Sequence, residues 1–150
     1  MRKLIVAVVL AVLATGLAVA GENPEQTAVM NTVQQFVSGF NHADSKSALA
    51  MCAPQTAIID DFPPHNWATC SAWLNDYNAW TASHGVSNGT LTLGDAKHVD
   101  ITGEQAYVVV GAIFSSLHEG KTMTEDGLMT LVLEKGTAGW RIVAWTWTTR

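Results

Sequence analysis

Asp60 and Asp61 stand side by side after the apolar triplet Ala57-Ile58-Ile59 and before Phe62-Pro63-Pro64, with His65 close behind. A carboxylate held in apolar surroundings has a raised pKa and can shuttle protons near neutral pH. Asp is equally a turn residue that bonds local backbone groups ahead of a proline. Both readings fit this stretch. His65 can pair with Asp61 as an imidazole or stand solvated in its loop. His98 alternates with Ala96 and Asp100, opposite Lys97, Val99 and Ile101, and either points inward or is a half-buried strand histidine. His42, His84 and His118 fall at element ends and read as solvated. Nothing in the spacing of Asp60, Asp61, His65 and His98 recommends a metal site, and no CxxC or paired-His motif accompanies Cys52 and Cys70.

The elements that must hold these residues change character half-way along. Asn23-Pro24-Glu25-Gln26 is a helix start, with Asn23 as cap, Pro24 in the first turn and Gln26 placed for a capping box. Val29, Val33, Phe36, Val37 and Phe40 recur at helical spacing. Asn41-His42-Ala43-Asp44 ends that helix, and Asp44 caps a shorter one expected to reach about Ala53, where Pro54 stops it. A third helix is expected from Thr69 to Gly85, with Cys70, Trp73, Leu74, Tyr77 and Trp80 on its apolar face. Strands follow at 90–93 and 97–101, the pair reading as one strand if a bulge falls at Gly94-Asp95, and then at 106–117, 128–133 and 140–148. Helices first and a meander afterwards make an α+β domain, with the helices on one face of an antiparallel sheet.

Arg2 and Lys3, an uncharged run from Leu4 to Val19, and Ala18-Val19-Ala20 before a polar stretch form the tripartite pattern of an export signal. The apolar run is shorter than a membrane span usually needs. Residues 1–20 are therefore expected to be removed, leaving 21–150 as one domain, periplasmic or secreted, without a stable membrane span. Loss of Arg2 and Lys3 takes the formal charge from −5 to −7, a surface that repels phosphate backbones, so nucleic acid is excluded as a partner. Export favours a Cys52–Cys70 bridge, worth about 3 kcal/mol in the chain-entropy model; two buried thiols are the alternative. It also places any ligand where nucleotide cofactors are scarce, which argues for cofactor-free binding or proton transfer.

The helix Thr32-Val33-Gln34-Gln35-Phe36-Val37, the break at Asn41-His42-Ala43-Asp44, Ala57-Ile58-Ile59-Asp60-Asp61, and the closing Gly139-Trp140-Arg141-Ile142-Val143-Ala144-Trp145 resemble the nuclear transport factor 2-like superfamily. That superfamily includes ketosteroid isomerase and the SnoaL-like polyketide cyclases. The resemblance implies a cystatin-like α-β roll, a cone of curved antiparallel or mixed sheet closed by three helices, with a pocket for a small apolar molecule. It places Asp61 at the isomerases' general-base position. It places Phe36 where they carry a tyrosine donor and Met129 or Thr130 where they carry a neutral Asp, so steroid isomerase chemistry is not expected, although Asp61 alone would serve a dehydratase or cyclase. Tyr77 matches a pocket tyrosine, or is a core residue of its helix stripe. Trp67, Trp73 and Trp80 fall near the cone mouth, as rim packing or as an aromatic wall for a flat ligand. In the last strand the resemblance turns Ile142, Ala144, Thr146 and Thr148 to the cavity. It turns Arg141, Val143, Trp145 and Trp147 to the outer face, where two tryptophans would mark a homodimer contact. The reverse parity would put both in the pocket. A non-catalytic interaction domain is the alternative to a ligand-binding one.

Overall fold

Asn23 opens the part of the chain that the computed structural model describes, residues 23–150; the expected export signal lies outside it. Asn23 Oδ1 accepts from Glu25 N at 3.0 Å, Pro24 needs no N–H partner in the first turn, and helix α1 runs Pro24–Asn41. Its stripe of Val29, Val33, Phe36 and Val37 is buried. Helix α2, Ser45–Leu49, is capped by Asp44 and ends earlier than expected, because the chain has turned extended by Cys52.

Strand β1 spans Cys52–Ile59 and so contains Pro54. A proline cannot donate to a ladder, and the ladder is interrupted there: pairing with the last strand breaks between Cys52 and Ala57. The buried Thr56 fills the gap, its hydroxyl within reach of Ala53 O (2.9 Å) and Ile142 O (3.1 Å). A short β2, Asn66–Trp67, returns antiparallel to β1. Thr69 Oγ1 then accepts from Ala72 N at 3.2 Å and starts helix α3, Cys70–Ser83. Gly85 follows at φ +65°, the left-handed turn that leads out of the helix.

Strands β3 (Val86–Thr102), β4 (Gln105–His118), β5 (Lys121–Gly136) and β6 (Gly139–Thr149) complete the chain. The sheet has six strands in the order β2-β1-β6-β5-β4-β3, antiparallel except for β1 beside β6. It is mixed, and the α+β class read from the sequence holds. The two segments at 90–93 and 97–101 belong to one strand whose register shifts at Gly94-Asp95, and again before His98. Val108, Val110, Leu131, Leu133 and Ile142 have no solvent exposure and face Val29 and Val33 of α1 across the core. Each such side chain contributes roughly 1.5–3 kcal/mol by leaving water. The other face of the sheet carries no helix among the described residues, and Ile59, Tyr107 and Ile113 are exposed.

The expected parity of β6 holds only for its first half. Leu133 and Val132 are neighbours in β5, yet they pair with Ile142 and Ala144, which leaves Val143 as an extra residue. A bulge of this kind exchanges the two faces of a strand beyond it. Ile142 faces inward as expected, with Trp140 buried beside it, but Trp145 and Trp147 further on face inward too, while Ala144 and Thr146 turn outward. Trp145 is only 4% exposed. Trp145 and Trp147 are therefore interior residues and not part of an outer-face contact, and Ala144 and Thr146 are not cavity residues.

Cys52 and Cys70 are bridged, tying the start of β1 to the first turn of α3 across the segment that carries Asp60 and Asp61. Replacing both by Ser should lower unfolding stability by about 3 kcal/mol, read as a lower urea midpoint together with a steeper slope, because the unfolded chain loses its cross-link and expands. A change below about 0.5 kcal/mol would mean that packing alone holds this segment.

Candidate functional site

The concave side of the sheet, α1, α3 and the turn after β1 enclose a cavity of about 280 Å³. Phe36 and Phe40 reach it from α1, and Trp73, Tyr77 and Trp80 from α3. Phe62 joins from the turn, Phe114 from β4, and Trp145 and Trp147 from β6. The rings wedge one another in place. Trp73 stacks on Tyr77 at 5.5 Å and meets Trp145 edge-on at 4.8 Å, and Phe36 lies 6.1 Å from Trp145. Such pairs fix ring orientation beyond what area burial does.

Two glycines make the space. A Cβ on Gly127 would sit 2.5 Å from the Trp147 ring, so this indole can lie over β5 only where no side chain intervenes. A Cβ on Gly89 would strike the Tyr77 hydroxyl in the same way.

The polar groups of the cavity are three carboxylates and Tyr77. Asp60 Oδ2 accepts from Trp73 Nε1 at 2.7 Å and Oδ1 accepts from Asp61 N at 2.8 Å. Burial outweighs these bonds and pushes the Asp60 carboxyl up to about 6. Tyr77 is raised to about 12, first by burial and then by the Asp60 charge, and so remains a neutral hydroxyl donor. Asp61 is more exposed, at the mouth. Burial, and then the Glu125 carboxylate beside it, hold its carboxyl above the ordinary range. Thr149 bridges them, donating to Glu125 and lying 3.5 Å from Asp61 Oδ2, while Trp147 Nε1 donates to Glu125 at 3.3 Å. The indole N–H of Trp145 is buried with no hydrogen-bond partner among the described residues.

Of the residues singled out in the sequence, Phe36, Asp60, Asp61, Trp73, Tyr77 and Met129 meet at this cavity. Phe36, at one donor position implied by the resemblance, is apolar; of the two residues it offers for the other, Met129 lines the cavity and is apolar, while Thr130 pairs with Thr146 on the opposite face. Trp67 lies outside the lining, against Phe62 at 4.7 Å, with its Nε1 donating to Asp76 at 2.8 Å. It backs the wall without forming it. His65 is an exposed turn residue whose Nδ1 lies 3.2 Å from the Asp60 carbonyl oxygen, so it does not pair with the Asp61 carboxylate. His98 is exposed on the outer face beside Tyr107, since the register shift before it changes the alternation. Neither histidine contributes to the cavity.

Glu125 was missed. The signal for it lay in the two-residue turn Glu119-Gly120, which pairs residues counted equally from either side and so sets Glu125 opposite Phe114.

A family model described as a SnoaL-like domain matches residues 29–146. The chain belongs to this family. Solved structures agree on the fold of this SnoaL-like domain. A nuclear transport factor 2-like superfamily protein of Salmonella enterica superposes with a TM-score of 0.70 at 20% identity, over 83% of this chain and 89% of that one. A ketosteroid isomerase-like protein of Erwinia carotovora atroseptica gives 0.68 at 14% identity, over 85% and 97%. An NTF2-like protein with a cystatin-like fold from Novosphingobium aromaticivorans gives 0.67 at 13%, over 84% and 82%. A search of curated proteins finds no match.

Carbon-detected NMR should place the Asp60 carboxyl midpoint near 6. The sign for stability follows. Native Asp60 holds its proton to higher pH than the unfolded chain, so its contribution is full below about pH 4 and is lost as pH rises through about 6. Asp60→Asn should therefore flatten the stability–pH curve between those limits. A midpoint below 4.5 would show that the carboxylate is solvated.

Proposed function

We propose that this SnoaL-like domain, exported and freed of its first twenty residues, binds a small and largely apolar molecule in its aromatic cavity. One observation carries the reading: a cavity of about 280 Å³, near the lower end of the ligand-pocket range of roughly 300–1,000 Å³, holds in its wall a buried carboxylate raised to about 6. At pH 7 such a group is ionised yet close enough to its pKa to take a proton and return it.

The chemistry that fits is cofactor-free proton transfer of isomerase, dehydratase or cyclase type. Asp60 is better placed for it than Asp61, because the Trp73 bond fixes its direction while Asp61 shares the mouth with Glu125. The apolar Phe36 and Met129 speak against an enolate held by two strong donors, which in other sites is worth several kcal/mol.

Native mass spectrometry of protein from the exporting host should find a co-purified small molecule. Phe36→Ala should release it. Asp60→Asn should keep binding and lose turnover by about a hundredfold or more, as expected for a general base. Retained turnover in Asp60→Asn and loss in Asp61→Asn would move the role to Asp61. Loss in neither would leave a binding protein.

A second reading concerns the uncovered sheet face. Pairing sets Ala57, Ala144, Val132 and Tyr107 in one row and Ile59, Thr146, Thr130 and Val109 in the next. These are uncharged side chains, with Ile59 61% and Tyr107 44% exposed. Such a face suits a second copy of the chain. Light scattering at micromolar concentration should give a dimer, and Ile59→Lys should dissociate it without affecting the cavity. A monomeric wild type would end this reading.

A further inference from the structure

Resting on the cavity reading above, we infer that the ligand carries a positive charge on an apolar body, as a quaternary or tertiary ammonium group does. The walls and the charges of the cavity point the same way. Trp73, Tyr77, Trp80, Trp145 and Trp147 come from two different elements and converge on one space. The face of an aromatic ring carries negative charge density, and a cation within about 6 Å of its centroid is attracted, most strongly by Trp and when shielded from water. A neutral apolar ligand would be served equally well by Leu, Ile or Phe.

Among the described residues the formal charges bordering this space are all negative, those of Asp60, Asp61 and Glu125, and none of its lining residues is Lys, Arg or His. None of the three has a basic partner among the described residues. The ion pairs of the described residues lie elsewhere, Lys135 with Glu25 and Arg150 with Asp126. Asp61 is repelled by Glu125 at the mouth and Asp60 in the wall by Asp61, and burial has already lifted both aspartates above their ordinary range. A bound cation relieves both costs. An anionic ligand would add to them, and a neutral one would leave them unrelieved.

The charge preference must depend on pH. The titratable groups facing Asp60 are Asp61 beside it, Tyr77 from α3 and Glu125 from β5, with the His65 ring at its backbone carbonyl. Tyr77 stays neutral throughout, so the carboxylates alone set the charge of the cavity between pH 5 and 8. Cation affinity should rise with pH through about 6.

The test compares choline with its uncharged carbon isostere, 3,3-dimethylbutan-1-ol, by calorimetric titration of the purified protein and by its tryptophan fluorescence. Choline should bind about tenfold more tightly at pH 7.5, in keeping with a shielded cation–π contact, and this advantage should shrink toward unity at pH 5. Asp60→Asn and Glu125→Gln should each reduce the ratio of choline to isostere affinity, with circular dichroism showing that both variants are folded. Trp147→Leu should weaken choline more than the isostere. Equal affinity for the two probes at pH 7.5 would overturn the inference and leave the apolar cavity reading standing. Binding of neither would overturn both.

Discussion

Strand β6 has to serve two ends of the molecule that ask for opposite things. Near Trp140 and Ile142 it must fill a close-packed core against α1, and near Trp145 and Trp147 it must wall a cavity. A regular strand would present its tryptophans to the wrong side, because its faces alternate every residue. The extra residue at Val143 breaks the alternation and turns both indoles inward. Much else follows from that one phase change. Trp145 gains its edge-on contact with Trp73, and Trp73 in turn holds the Asp60 carboxylate through its ring nitrogen. Trp147 reaches Glu125 and requires Gly127 beneath it. Without the bulge, neither Trp145 nor Trp147 would face the space that Asp60 and Glu125 border.

The bulge is also matched on the neighbouring strand. Pro54 interrupts β1 opposite it, and Thr56 supplies a side-chain bond to the Ile142 carbonyl where the ladder is open. The disulfide then fastens this weakened strand to α3. Two irregularities, each costly alone, are thus set side by side and stapled, and the segment they release carries Asp60, Asp61 and Phe62 into the cavity. Irregular backbone around a functional pocket is a common departure from the rules that govern ideal strands.

What could be read in the sequence divides along physical lines. Helix starts rest on local chemistry, an Asn, an Asp or a Thr bonding an amide within three residues, so α1 and α3 were legible almost to the residue. The meander and the α+β class were legible for a similar reason, since turn residues and β-branched runs are local signals. The parity of β6 was not, because a bulge is decided by pairing with a strand far away in the chain. It carried Trp145, Trp147, Ala144 and Thr146 to the wrong faces together. The side taken by His98, open in the sequence, is set by the same mechanism in β3. Asp60 and Asp61 were found as a pair, but their ranking was hidden. Which of two adjacent carboxylates is buried depends on Trp73, on another element, offering its N–H to one of them.

The composition of the cavity bears on how the family fold has been used here. Fold alone says little about activity. In this chain Phe36 and Met129 line the cavity with apolar surface, and the buried Trp145 N–H has no partner among the described residues. An unpaired buried donor costs on the order of 1–3 kcal/mol, a penalty that a core built for stability alone would avoid. Nor would such a core bury Asp60, whose raised pKa is itself unfavourable to folding at neutral pH. Orphaned donor and strained carboxylate lie in the walls of one aromatic space. Both make sense if the wall of that space was shaped by what enters it rather than by the folding of the chain around it.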